Sequence, residues 1–168
     1  MNSAIFRTAT ESYQVSHIVY AGSVGEIPEE RRKSDNTHSF KIATTASPVY
    51  CYYRNEDAAK NARGKLGAML NTVKPHVFKH GYEIIDTRSV VTISTVFALR
   101  NPQGDLTHTF YVTLETRDPD KNKVWLKYKS EDNAKKGRNA LFASIHSLHE
   151  NAPVTEEKSE AVEAFTQC

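Results

Sequence analysis

Apolar and polar positions alternate along two segments of the chain and then change to helical spacing. The first segment, Val49 to Leu70, reads VYCYYRNEDAAKNARGKLGAML, and the second, Val124 to Ile145, reads VWLKYKSEDNAKKGRNALFASI. Alternation with period two predicts a half-buried strand, whereas apolar residues three or four apart predict one face of a helix. Asn55 and Ser130 stand where the spacing changes, and both residue types cap helix N-termini. Each segment is therefore predicted to be a strand followed by an amphipathic helix.

The two segments match one another without a gap. Equivalent positions are Val49 and Val124, Tyr53 and Tyr128, Lys60 and Lys135, Arg63 and Arg138, and Leu66 and Leu141. A further matching piece lies upstream of each segment, THSF at 37–40 and THTF at 107–110. Self-similarity of this kind predicts that one supersecondary unit is written twice.

The rest of the pattern supplies three further strands to each predicted unit. The predicted strands are Ala4–Arg7, Tyr13–Ala21, Thr37–Thr45 and Pro48–Arg54 in the first unit, and Tyr82–Asp86, Ser89–Leu99, Thr107–Thr116 and Lys123–Lys129 in the second. Gly22–Asn36 is predicted to be a long loop, and Asp118–Asn122 a hairpin loop. The fold class is thus α+β, with a four-strand-plus-helix unit (ββββα) written twice and antiparallel sheets packed on two helices. Residues 1–149 are predicted to form a single domain of two pseudo-symmetric repeats, about 4–73 and 80–149.

Charge is distributed unevenly along the chain. The formal net charge is +2, but the stretch from Glu150 to Cys168 contains five Glu and one Lys, so the preceding body is strongly positive. Residues 150–168 are predicted to be an acidic, disordered tail. A basic body with an acidic tail is typical of proteins that handle polyanions, and a solvated surface with a disordered end is the alternative.

The cysteines and the N-terminal sequence indicate the compartment. Cys51 lies in a strand pattern and Cys168 is the last residue, so we expect no structural disulfide and a reducing environment. No basic start precedes an apolar run, and no apolar stretch approaches the length of a membrane span. We therefore expect a soluble, intracellular protein, cytoplasmic or nucleoid-associated, with no membrane partner.

The last strand of each unit carries the candidate binding residues. Because side chains alternate across a strand, Val49, Cys51 and Tyr53 are predicted to pack under the helix, as are their second-unit equivalents. The opposite faces then present aromatic and basic side chains, which suit single-stranded nucleic acid because rings stack bases and cations follow the phosphates. The predicted stacking residues are Tyr50, Tyr52, Tyr111 and Trp125, and the predicted phosphate contacts are Arg54, Lys123, Lys127 and Lys129.

Aromatic side chains are also typical of protein interfaces, which leaves an alternative open. The same faces would then be buried in a homodimer, and the protein would be a protein-interaction or small-ligand-binding scaffold. Arg63 and Arg138 occupy equivalent helix positions. They are interpreted either as phosphate contacts or, preferably, as partners of a carboxylate that fixes the helix against the sheet.

No residue pattern predicts catalysis, a metal or a cofactor. His38 and His108 resemble the paired histidines of two-histidine phosphoesterases, but these need a hydroxyl residue two places after each His. Phe40 and Phe110 stand there instead. Asp118–Asn122 lacks the glycine and the distal Glu of a calcium loop. We therefore expect a protein that is not an enzyme.

A four-strand-plus-helix unit written twice resembles the architecture shared by whirly proteins, PUR-repeat proteins and the related PC4-like coactivators. The resemblance spans about residues 4–149. It implies non-catalytic binding of single-stranded DNA or RNA across exposed sheet faces, by a homo-oligomer. The acidic tail with Phe165 near its end is similar to tails of single-strand binders that compete with nucleic acid and recruit a protein partner.

Overall fold

Antiparallel strands and two helices form the chain in the computed structural model, which describes residues 4–117 and 122–150. The helices are α1 (Glu56–Val73) and α2 (Glu131–Glu150). The strands, in chain order, are β1 (Ile5–Arg7), β2 (Ser12–Gln14), β3 (Ile18–Ala21), β4 (Gly25–Glu26), β5 (His38–Thr44), β6 (Pro48–Tyr53), β7 (Val77–His80), β8 (Glu83–Asp86), β9 (Val90–Ile93), β10 (Phe97–Gln103), β11 (Leu106–Leu114) and β12 (Lys123–Tyr128). The predicted α+β class is confirmed. Most of the predicted hairpin loop, at 118–121, and the predicted tail, at 151–168, lie outside the described residues.

The strands form two larger sheets and one separate hairpin. In the larger sheet the order is β6, β5, β3, β8, β7. The short strand β4 also pairs with β5, at His38 and Ser39. In the smaller sheet β11 pairs with β12, β9 and β10. β1 and β2 pair with each other. The sheets therefore do not follow the two predicted repeats, because β8, at the start of the second repeat, and β7, which follows α1, join the sheet formed by the strands of the first repeat.

Two strands predicted to be continuous are interrupted. The predicted strand Tyr13–Ala21 contains β2, a 3₁₀ turn at Val15–His17 and β3, and Ser89–Leu99 contains β9 and the start of β10. Ser94 ends the first strand of the second run, because its hydroxyl replaces its carbonyl as the acceptor from β11 and its carbonyl bonds to α2 instead. Its Oγ accepts from the Tyr111 amide at 2.9 Å, and its carbonyl accepts from Arg138 Nε at 2.7 Å. A run of β-branched residues does not reveal such a break.

The helix starts follow the sequence prediction. The Asn55 side chain accepts from the amide of Ala58 at 2.8 Å, and the Ser130 hydroxyl accepts from the amide of Asn133 at 3.1 Å. Each cap satisfies one of the amides that the first turn of a helix leaves unpaired.

Two clusters of buried apolar side chains hold the sheets and helices together. One lies around Phe40 and Leu66 under α1, and the other around Phe110 and Leu141 under α2. Neighbouring residues of β8 belong to different clusters, Ile84 to the first and Ile85 to the second, since they point to opposite faces of the sheet. The larger sheet is thus apolar on both faces at β8, and β8 contributes one residue to each cluster.

A buried ion pair joins the end of α1 to β8. Lys74, which caps α1, lies 2.8 Å from an Asp86 carboxylate oxygen, and both side chains are almost fully buried. Burial alone would raise the pKa of Asp86, but hydrogen bonds from Lys74 and Arg88 hold that pKa below its ordinary value. The Asp86 side chain also accepts from the Arg88 amide at 3.1 Å, so it starts the 3₁₀ turn before β9. The pair therefore holds the end of α1 against the end of β8, next to the 3₁₀ turn that leads into β9.

Replacing Lys74→Met should lower the free energy of unfolding by about 3 kcal/mol, because it removes the buried cation of a buried carboxylate and leaves only the half-exposed Arg88 beside it. Urea denaturation at neutral pH measures the change. Lys79→Met is the matched control, since Lys79 is exposed on β7 and its replacement should change stability by less than about 0.5 kcal/mol. Equal stability of the two variants would contradict the structural role assigned to the pair.

Candidate nucleic-acid interface

Three aromatic rings from adjoining strands form a partly exposed cluster on the smaller sheet. Phe97 lies on β10, Tyr111 on β11 and Trp125 on β12. The ring centroids of Tyr111 and Trp125 are 5.0 Å apart, and Phe97 meets Trp125 edge-on at 5.9 Å. Phe97 is 38% exposed and Trp125 is 44% exposed. These three residues are called the three-ring face below.

Strand register brings these rings together. Tyr111 is directly opposite Trp125, and Phe97 is directly opposite Thr109, two residues before Tyr111 on β11. Residues two apart share a face of a strand, so all three rings point to the same side. Thr109 lies fully buried beneath them and donates to the carbonyl of Leu126 at 2.8 Å. The alternation on β12 is as predicted, with Leu126 buried and Trp125 exposed.

Three lysines predicted to contact phosphate border the three-ring face, and each already has a neighbour. Lys123 Nζ lies 4.7 Å from the centroid of the Tyr111 ring. Lys127 donates to the side chain of Gln103 at 2.8 Å. Lys129 pairs with Asp105 at 2.8 Å, and both of these side chains are mostly exposed. Exposed pairs contribute only about 0–1 kcal/mol, so a phosphate can replace these partners at little cost.

The other predicted residues lie on the larger sheet. Tyr50 and Tyr52 are each about half exposed on β6, with ring centroids 6.3 Å apart, and Arg54 follows directly after the strand. Lys41 is opposite Tyr50 in the register. The eight candidate residues therefore fall on two sheets. Tyr50, Tyr52 and Arg54 form one surface, and Tyr111, Lys123, Trp125, Lys127 and Lys129 form the other.

An open groove of about 710 Å³ begins beside Trp125. The turn between β7 and β8, the edge of β12 and the first turns of α2 line it. At this turn Gly81 has φ +57°, which a glycine adopts without strain, and Tyr82 is 81% exposed. His80 closes one side, since its Nε2 lies 2.9 Å from the carbonyl of Lys127. The groove thus adds Tyr82 to the exposed aromatic surface.

The floor of the groove depends on a glycine of α2. A Cβ atom at position 137 would lie 2.2 Å from the Tyr128 hydroxyl oxygen, a distance that no side chain can occupy. That hydroxyl is buried and has no hydrogen-bond partner. Tyr128 also stacks on Phe110, at 5.8 Å, so it has little freedom to move away. Gly137 therefore lets α2 approach β12 closely.

Glu83 lines the groove, and its carboxyl group has a raised pKa. One of its carboxyl oxygens is buried and has no hydrogen-bond partner. Burial raises the pKa of Glu83 to about 7, although Lys127, Tyr20 and Arg63 each lower it. The groove therefore changes charge near neutral pH.

The equivalent helix arginines bind backbone carbonyls. Arg63 is 7% exposed, and it donates to the carbonyls of Gly22 at 2.7 Å, Ala21 at 3.3 Å and Tyr82. Arg138 donates to the carbonyl of Ser94. The predicted role of fixing helix against sheet is confirmed, but in the part of the chain that the structure describes the partners are carbonyls, so the predicted carboxylate partner is wrong there. For Arg63, burial also rules out the alternative of a phosphate contact.

Sequence reasoning missed two aromatic residues of this region, Phe97 and Tyr82. Phe97 lay inside a run predicted to be one continuous strand, and the break at Ser94 changes which face it occupies. Tyr82 was predicted to begin a strand, whereas it lies in the turn. Knowledge of the pairing of β10 with β11 would have identified Phe97.

The described residues contain no group of three or more His, Cys, Asp or Glu side chains that would hold a metal ion. His38 and His108 each lie within hydrogen-bonding distance of the preceding threonine hydroxyl, through Nδ1. In residues 4–117 and 122–150, no helix has the length and apolar character needed to cross a membrane.

The altered acidity of Glu83 predicts a pH dependence of stability. Because its pKa rises from 4.5 to about 7 on folding, the free energy of unfolding should fall as pH rises from about 4.5 to 7 and then level off. Glu83→Gln should remove this fall and be more stable than the parent at pH 8 by about 2–3 kcal/mol. Urea denaturation at pH 5 and pH 8 measures both effects. The exposed Glu115→Gln is the control, and an unchanged pH profile in Glu83→Gln would contradict the assignment.

Comparison with known proteins identifies no matching protein family, and neither the curated proteins nor the solved structures contain a match to this chain. The resemblance to whirly, PUR-repeat and PC4-like proteins therefore stays a prediction.

Proposed function

We propose that this protein binds single-stranded DNA or RNA without catalysis, through the three-ring face. The observation that carries the proposal is the cluster of Phe97, Tyr111 and Trp125 on three adjoining strands, partly exposed and bordered by lysines. Every base has a flat π face, so stacking on such rings tolerates any sequence. Unpaired bases are needed, because a duplex keeps its base faces covered.

The neighbouring charges support the same proposal. Lys123, Lys127 and Lys129 are on β12 or directly after it, along the border of the three-ring face. A strand that stacks a base on Trp125 would place its phosphates beside this row. The groove continues from Trp125 to the exposed ring of Tyr82, which offers a path for the next nucleotides. Tyr50, Tyr52 and Arg54 are proposed as a second contact for a longer strand.

We also infer that the two halves derive from one duplicated strand-and-helix unit. Equivalent residues make equivalent contacts in both halves, at closely similar distances. The matching contacts are Thr37–His38 (2.8 Å) and Thr107–His108 (2.9 Å), Phe40–Tyr53 (5.6 Å) and Phe110–Tyr128 (5.8 Å), Glu56–Lys60 (2.6 Å) and Glu131–Lys135 (2.7 Å), and Arg63–Gly22 (2.7 Å) and Arg138–Ser94 (2.7 Å). Independent origins would not be expected to reproduce threonine–histidine, stacking, ion-pair and helix-anchoring contacts at the same relative positions. A cytoplasmic or nucleoid-associated location, with a homo-oligomeric state, completes the proposal.

Titration with unlabelled oligodeoxythymidine or oligouridine should quench the fluorescence of Trp125, the only tryptophan. Phe97→Ala and Trp125→Ala should each weaken binding of a dye-labelled oligonucleotide by 1–3 kcal/mol, or about 5- to 150-fold, because each removes a stacking surface. Fluorescence anisotropy measures these affinities. Ile5→Ala, which truncates an exposed apolar side chain on β1, is the matched control and should bind like the parent.

Salt dependence separates phosphate contacts from stacking. Each of Lys123→Ala, Lys127→Ala and Lys129→Ala should reduce the slope of log affinity against log salt by about 0.7, because each removes one counterion-releasing contact. The exposed Lys65→Ala on α1 should leave the slope unchanged. Absence of quenching at low salt would exclude the proposal. A change from dimer to monomer in Trp125→Ala, without oligonucleotide binding by the parent, would support the scaffold alternative instead.

A further inference from the structure

The edge of β9 is apolar and lacks two of the usual protections of an edge strand, charged side chains and proline. Its sequence, Val-Val-Thr-Ile, contains no charge and no proline, and Val91 is 56% exposed. Within the described residues β9 pairs with β11 alone. Its ladder with β11 shifts register at Val91, but β3 has the same shift at Val19 and still pairs with a second strand. Edge strands of monomeric proteins are normally blunted by charged side chains, proline or bulges facing solvent, because an open row of amides and carbonyls recruits another strand.

β3 is the counterpart of β9 in the first half of the chain. Each follows a 3₁₀ turn, at Val15–His17 and Thr87–Ser89 respectively. Each pairs with the long central strand of its sheet in the same relative register. The paired positions are Tyr20 with Ala43 and Ala21 with Ile42 for β3, and Thr92 with Thr113 and Ile93 with Val112 for β9. Each is followed by a carbonyl that accepts from a helix arginine.

The two counterparts differ in what covers their second edge. All four residues of β3 are buried, since β8 pairs with it, placing Tyr20 opposite Ile85 and Ala21 opposite Ile84. β9 has no strand in this position among the described residues, and its side chains are exposed or half-buried. The molecule therefore contains, between β3 and β8, a template for how the edge of β9 would be covered.

The counterpart of β8 is β2. Each is the second strand of a hairpin, formed with β1 or β7, and each leads into one of the two 3₁₀ turns. β2 pairs only with β1 in the part of the chain that the structure describes. Ser12 and Gln14 on it are exposed. One copy of the chain thus presents an uncovered β9 and an uncovered β2, the two strands that the template pairs.

We propose that β9 of one copy of this chain pairs antiparallel with β2 of a second copy, in the register of the β3–β8 pair. That register places Thr92 opposite Tyr13 and Ile93 opposite Ser12. The contact joins different surfaces of the two copies, so successive copies form either a closed ring or an open chain. The proposal does not depend on nucleic-acid binding, because the three-ring face takes no part in it.

Disulfide trapping tests the register directly. Thr92→Cys and Tyr13→Cys proteins, each carrying Cys168→Ser and retaining the buried Cys51, are mixed and oxidised. Ile93→Cys and Ser12→Cys form a second mixture, because directly opposite residues alternate between wider and narrower Cα separations and one of the two pairs is the narrower. At least one mixture should give a disulfide-linked dimer that neither protein gives alone. Thr92→Cys mixed with Thr10→Cys, at an exposed site off the register, is the control.

Sedimentation of the unmodified chain provides an independent readout. It should show concentration-dependent association, which Val91→Lys weakens by at least about tenfold, because a charge on the edge opposes strand pairing. Circular dichroism and urea denaturation check that this variant folds. A monomer at all concentrations, association unaffected by Val91→Lys, or a dimer linked by Thr92→Cys alone would each overturn the proposal, the last by indicating a two-fold β9–β9 contact.

Discussion

A buried guanidinium on α1 holds the two halves of the chain together. Arg63 donates to the carbonyls of Ala21 and Gly22, where β3 ends, and to the carbonyl of Tyr82 in the turn between β7 and β8. Among the described residues no carboxylate bonds to it, so carbonyl dipoles replace the water lost on burial, and burial lowers the pKa of Arg63. Because the turn carries Tyr82 and leads into Glu83, this one side chain positions a wall of the groove relative to the first half of the chain.

The same device acts in the second half with a different consequence. Arg138 on α2 donates to the carbonyl of Ser94, where β9 stops. The Ser94 hydroxyl meanwhile accepts from the amide of Tyr111, so the chain leaves the ladder there and β10 begins three residues later. This break brings Phe97 onto the side of Tyr111 and Trp125. Arg138 therefore holds the chain at the break that precedes Phe97.

The sequence predicted correctly those features that depend on interactions between residues close together in the chain. The caps at Asn55 and Ser130, the helical spacing that follows them, and the opposite orientations of Trp125 and Leu126 all follow from residues within one turn or one strand. The sheet membership of β8 was not predicted, because its pairing with β3 joins residues about 65 positions apart and leaves no periodic mark. Phe97 was missed for a related reason, since only its pairing with β11 determines which face it occupies.

The smaller sheet exposes two apolar surfaces, the three-ring face and the edge of β9. The chemistry of each surface suits a different kind of partner. The rings of the three-ring face already pack against one another, and Lys123 lies over Tyr111, so what they still offer is flat π surface beside positive charge. That combination suits a base with its phosphate better than another strand. The edge of β9 instead offers backbone amides and carbonyls flanked by Val91, a requirement that only an extended chain satisfies along its length. A ligand that suits one surface does not suit the other, so the binding proposed at each surface is independent of the binding proposed at the other.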